Sequence, residues 1–131
     1  MSNASIEPQR GEVWLVRFDP AIGSEFQKTR PAVVVNEDQI GRLNMRIVVP
    51  ITNWKEEFSG FLWVVGIKPT ALNGLSKISG ADSSQVKSVS IKRFEKKLGT
   101  LSTADLKEII TGVVLCIGYD CPICENNMGN G

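Results

Sequence analysis

Only one segment of this chain carries a helical period, and it comes last. Leu106, Ile109, Ile110, Val113, Val114 and Ile117 recur at helical spacing and predict one apolar stripe. Ser102 precedes them, and with Asp105 it approximates a capping box. Gly112 interrupts the stripe at a small cost in helix propensity. Everything upstream is written in short β-forming runs. Gly11–Pro20 alternates, with Val13, Leu15 and Arg17 on one face and Trp14, Val16 and Phe18 on the other. Pro31–Asn36, Met45–Thr52 and Gly60–Ile67 read as further strands. Pro50 marks an edge, a bulge or the end of the third. Asn73-Gly74 is a turn signal, and short β-prone pieces follow at Gln85–Val86 and Ser88–Ile91. A short helical turn fits Thr70–Leu72. Five or six short strands and one terminal helix predict a mainly β fold, a small curved antiparallel sheet or partial barrel with the helix across its open side.

The 131 residues suit one domain that builds a core without disulfides or metal. We expect a disordered lead-in over residues 1–10, a domain over 11–118 and a polar tail over 119–131. No apolar run is long enough to span a membrane, and the N-terminus has no apolar core of a signal peptide. The expected address is cytoplasmic, with no membrane partner. The formal charge of +1 argues against holding long nucleic acid by bulk electrostatics. The basic run Lys87–Lys97 reads mostly as a solvated face. There is no histidine, which removes Ser-His-Asp and Cys-His catalysis and His-ligated metals together. The three cysteines, Cys116, Cys121 and Cys124, lie near the C-terminus. Cys121 and Cys124 form a C-x-x-C pair in the tail, half of a structural zinc site with nothing to complete it. No metal and no cofactor is expected.

The chain changes character abruptly within GSEFQKTRPAVVV. The polar loop Gly23–Thr29 ends at Arg30-Pro31, and a valine-rich strand follows. Pro31 confines Arg30 to extended backbone, so its guanidinium leaves from a defined place. Thr52 and Asn53 end another apolar strand, where a hydroxyl and an amide suit phosphate or sugar contacts. Each feature alone is met as often in a surface ion pair or a turn cap.

Together they carry a resemblance. Gly11-Glu12-Val13-Trp14, the Gly23–Glu25 loop running into Arg30-Pro31, Pro50-Ile51-Thr52, and Gln85-Val86-Lys87-Ser88-Val89 occur in the order and spacing of the MazF/PemK toxin family. The chain resembles that family over most of Arg10–Ile117. The resemblance implies an SH3-like small barrel with a C-terminal helix, of the CcdB/PemK toxin type. It implies a homodimer, neutralised by a cognate antitoxin, that cuts single-stranded RNA at short sequences without a metal. DNA would be met only through the antitoxin. Carried over by position, Arg30 and Thr52 match the catalytic arginine and threonine, Glu25 an acidic loop residue, and Gln85 a substrate-contacting glutamine. The chain departs from many members at Lys87 and Ser90, positions that bear on which RNA sequence is preferred.

The residues fit this chemistry on their own. RNA carries its own nucleophile, so an enzyme must align it, move a proton and stabilise the phosphorane. Arg30 suits the charge role, Thr52 alignment, and Glu25 proton acceptance. Lys28, Asn53, Trp54 and Lys87 are candidate RNA contacts, and Trp54 is the tryptophan placed to stack a base. Two alternatives stay open: a gyrase poison on the same barrel, and a non-catalytic RNA-binding module.

Overall fold

Strand β3 (Met45–Asn53) is the longest strand and is paired along both edges. In the computed structural model, the described residues are 6–18, 28–40 and 44–119. The other strands are β1 (Glu12–Arg17), β2 (Thr29–Val34), β4 (Val64–Ile67), β5 (Ser79–Asp82), β6 (Lys87–Ser90) and β7 (Phe94–Thr100), followed by helix α1 (Thr103–Ile117). They form one seven-stranded antiparallel sheet in the order β4-β5-β3-β2-β1-β7, with β6 also on β3.

One edge of β3 meets β2, with Ala32 opposite Pro50 and Val34 opposite Val48. The other edge is shared. β6 covers Met45–Val48 and β5 covers Ile51–Asn53. A 3-10 turn, Ser83–Gln85, separates β5 from β6. The expectation that Pro50 ends the strand or marks an edge is corrected here, because β3 runs straight through it. The Ile47 carbonyl accepts from Val35 N–H, on the β2 side. Alternation along the strand therefore turns the Pro50 nitrogen toward the interval between β5 and β6, where no ladder partner is needed.

The alternation of β1 is realised as two cores. Val13, Val33, Val49, Ile51, Val65, Ile67, Ala81, Leu101 and Ile109 pack on one face. Trp14, Val16, Phe18, Ala32, Val34, Val48, Val89 and Phe94 pack on the other. Strands apolar on both faces read as continuous valine runs, as Ala32–Val35 does. The connection from β4 to β5 reaches back across the sheet's opening to β7, where Thr100 N–H donates to the Leu72 carbonyl at 2.8 Å. Glycine is required on both sides of that crossing. A Cβ at Gly99 would lie 2.2 Å from the Leu72 oxygen, and one at Gly74 2.0 Å from the Leu98 oxygen.

Helix α1 starts as expected, with Ser102 Oγ accepting from Asp105 N–H at 3.1 Å. Leu106, Ile110 and Val113 pack against the core around buried Ile109. Ile117, expected in the stripe, is 67% exposed. Gly112 lies on the buried side instead, where a Cβ would sit 2.5 Å from Ser83 Oγ. The same hydroxyl donates to the Ile109 carbonyl at 3.1 Å. The glycine thus serves close approach of helix and turn. Cys116 is exposed on the helix, and its thiol is pushed up by burial and by Asp82. Cys121 and Cys124 lie outside the described residues.

Other expectations need correction. β4 begins at Val64, because Glu56–Gly60 is a 3-10 turn. Gln85 belongs to a turn, and Ala71–Asn73 is a plain turn with no helix. β5 and β7 went unread, since SGAD has weak β-propensity and β7 is a charged edge strand. The folded unit also reaches back before Gly11: Pro8 is buried, and its carbonyl accepts from Arg46 Nε at 2.9 Å.

Glu12 ties β1 to β7 and to this N-terminal turn. Its carboxylate meets Lys97 Nζ at 2.9 Å and accepts from Gln9 N–H at 2.9 Å and Trp14 Nε1 at 3.0 Å. Burial pushes its pKa up, but these three partners outweigh burial and hold it below the ordinary 4.5. A depressed carboxylate contributes stability above its unfolded pKa and loses it as pH falls through the folded value. We expect Glu12→Gln to cost stability at pH 7 and to flatten the decline in stability below pH ~4.5. Urea melts of both proteins from pH 7 to pH 3 check this, and parallel curves would refute it.

Candidate active site

β1 and β3 end, and β2 and β5 begin, at the same end of the sheet. Register brings the candidate residues together there. Arg30 lies opposite Val16. Continuing the β2–β3 register from Ala32 and Pro50 puts Arg30 across from Thr52. Directly opposed residues share a face, so both side chains leave on the face of Val16 and Val48. Both residues are half-buried, and the Nε of Arg30 is fully buried.

Arg30 and Thr52 also line a cleft of about 260 Å³ with Leu15, Ile51, Asn53 and Leu98, walled by residues from Gly74 to Ser79. The described residues along it include two basic ones, Arg30 and Lys77, and the hydroxyl-bearing Thr52, Ser76 and Ser79, with no Asp or Glu. Such a lining attracts anions.

The other expected residues are placed as follows. Asn53 is exposed at the end of β3 and lines the cleft. Trp54 follows it, half-buried, with its ring edge-on to Phe58 at 5.4 Å and against Gly66. Lys28 is exposed with φ +62°, and its carbonyl accepts from Phe18 N–H at 2.8 Å. Glu25 lies outside the described residues. Lys87 is opposite Val48, and its Nζ lies 5.8 Å above the Phe18 ring. From Val48 to Thr52 the strand rises roughly 13 Å at ~3.3 Å per residue. Gln85 sits in the turn between β5 and β6, alongside the interval that holds Pro50. Thr52, Gln85 and Lys87 thus mark a line along β3. Gln85 and Lys87 do not line the cleft itself.

Sequence reading missed the wall at residues 74–79. Its only signal was the Asn73-Gly74 turn. Asn73, 3% exposed, organises it. Asn73 Oδ1 accepts from Thr70 N–H and Leu75 N–H at 3.0 Å each, and Nδ2 donates to the Lys68 carbonyl at 2.9 Å. Further along, Trp54 N–H donates to the Ile78 carbonyl at 3.0 Å, pinning the wall to the end of β3.

The chain matches the family described as PemK-like, MazF-like toxin of type II toxin-antitoxin system over residues 9–116. It is 33% identical over 107 residues to Endoribonuclease MazF9 of Mycobacterium tuberculosis (strain ATCC 25618 / H37Rv), covering 77% of this chain and 88% of that protein. It is 44% identical over 46 residues to Endoribonuclease PemK of Escherichia coli, covering 34% of this chain and 35% of that protein. A crystal structure of MazF from Deinococcus radiodurans superposes with a TM-score of 0.74 at 21% identity, covering 88% of this chain and all of that one (100%). An endoribonuclease in complex with its cognate antitoxin, from a mycobacterial species, superposes at 0.69 and 16% identity, covering 88% and 99%. At those identities the two structures speak to the fold, which is the small toxin barrel expected. The chain belongs to the PemK-like, MazF-like toxin family.

Asn73→Ala removes the partner of two part-buried N–H groups and a carbonyl, at about 0.5–1.5 kcal/mol for each hydrogen bond lost. We expect a lower denaturation midpoint. A thermal melt checks this, and an unchanged midpoint would refute the organising role.

Proposed function

We propose that this protein is a metal-independent, sequence-specific endoribonuclease toxin that cuts single-stranded RNA, with mRNA as the expected class. The observation that carries the reading is the convergence of Arg30 and Thr52 on adjacent strands beside a cleft without carboxylates, in a chain of this family. The 2′-oxygen attacks the adjacent phosphorus and the bond to the 5′-oxygen breaks. The products are a 2′,3′-cyclic phosphate and a 5′-hydroxyl. The 2′-OH proton passes to Glu25, an assignment that rests on its place in the segment joining β1 to β2. Arg30 presents a planar fork to the phosphorane oxygens and donates the proton taken up by the 5′-oxygen. As the cation of the pair it serves as clamp and acid, and the base role falls to the Glu25 carboxylate. Thr52 hydrogen-bonds the phosphate and holds the line of attack. No metal is called for, because the substrate brings its nucleophile and Arg30 supplies the charge.

Gln85 and Lys87 continue the RNA path along β3, with Lys28 and Asn53 at its other end. Trp54 offers its free flank to a base. In this reading the protein is a cytoplasmic homodimer. Its antitoxin uses an acidic segment that folds over the Arg30 end of the sheet, and DNA is reached only through that partner. No helix among the described residues is long and apolar enough to cross a membrane.

Single-turnover cleavage of a short RNA in EDTA tests the reading. Discrete cuts with 5′-hydroxyl ends are expected. Arg30→Lys keeps the charge but loses the fork, and the rate should fall roughly 10²–10³-fold with little change in melting temperature. Arg17→Lys, an exposed arginine outside the cleft lining, should cut like wild type. RNA left intact would overturn the nuclease reading, and an Arg30→Lys rate within a few-fold of wild type would overturn the site.

A further inference from the structure

We propose that Lys77 grips a second phosphate of the RNA, the one adjoining the scissile phosphate, and so positions the strand across the cleft. The inference rests on the ribonuclease reading and adds a residue that neither the sequence motifs nor the family positions single out. Lys77 and Arg30 are the two cations of the described cleft lining. Lys77 is exposed. Among the described residues no carboxylate lies within ion-pairing distance of it, so its charge is not already spent on the protein.

Its backbone is held. The Lys77 carbonyl accepts from Ser79 Oγ at 2.8 Å, and the next carbonyl, that of Ile78, accepts from Trp54 N–H at 3.0 Å. Asn73 and the close crossing at Gly74 fix the other end of the wall. A long flexible ammonium on a pinned stem suits a point contact to phosphate. β5 and β2 flank β3 on opposite sides, so their backbones stand roughly 10 Å apart at ~4.8 Å per strand. That separation sets Lys77 and Arg30 to hold different phosphates of one strand. Leu15, Ile51, Leu75 and Leu98 give the same cleft an apolar lining against which a base can rest.

The role is positioning, so Lys77 should act on binding more than on chemistry. The test uses the full chain and a short cleavable RNA whose cut site has been mapped. For binding, the same RNA carries 2′-deoxy sugar at the cut. Lys77→Gln should raise Kd roughly tenfold near 0.1 M salt and lower the slope of log K against log salt by about 0.7, the share of one phosphate on a single strand. The saturating single-turnover rate should stay within about twofold of wild type, since the contact is the same in ground and transition states. Lys77→Arg should restore both Kd and slope, and Lys107→Gln, on the exposed side of α1, should change neither. A Lys77→Gln protein with wild-type Kd and slope overturns the proposal while leaving the nuclease reading intact. So does one whose saturating rate collapses at unchanged Kd. Wild-type protein that neither cuts nor binds RNA overturns both.

Discussion

The double pairing of β3 is the constraint on which the rest of the structure depends. Its β2 side pairs Ala32 with Pro50, a register whose continuation leads to Arg30 and Thr52, and its other side is divided between β5 and β6. A proline in a fully paired central strand would leave a ladder acceptor unmet. Here its nitrogen faces the interval where β5 gives way to β6, so the strand continues to Thr52 and Asn53. The turn filling that interval carries Gln85 and rests on the helix through Ser83. One register therefore sets the Arg30 end of the cleft, the position of Gln85 and the seat of the helix.

A net charge of +1 is compatible with a local cationic site, because the charges facing the cleft matter more than the sum over the chain. Arg30 and Lys77 border a cleft whose described lining has no carboxylate. Lys87 lies on the Val48 face of the sheet, about 13 Å from Thr52 along β3. Lys97 of β7 is occupied otherwise, with Glu12 at 2.9 Å. A local field in a low-dielectric groove is worth more than a diffuse basic surface.

The fold was legible where local chemistry and burial agree. β1, β2 and the helix start were read because alternation, a valine run and a Ser102 cap each have a local cause. β5 and β7 were not, because SGAD has small side chains and β7 turns Glu95, Lys96 and Lys97 to solvent. In both, strand character comes from neighbours more than from the residues themselves. Gly112 shows the same limit. Local propensity assigns it a cost, whereas packing against Ser83 makes it necessary.

By itself the sequence determined which residue types are available for chemistry. It excluded histidine-based catalysis, placed Arg30 at a strand mouth through Pro31, and set motifs whose order resembles one toxin family. Those properties are local in the chain, so they can be read in one dimension. Only the tertiary structure decided that Arg30 and Thr52 face each other, that Pro50 is harmless, and that residues 74–79 wall the cleft and bring Lys77 to it. These are contacts between residues far apart in the chain. They are set by strand register and by the Asn73 and Gly74 crossings, and no periodicity in the sequence encodes them.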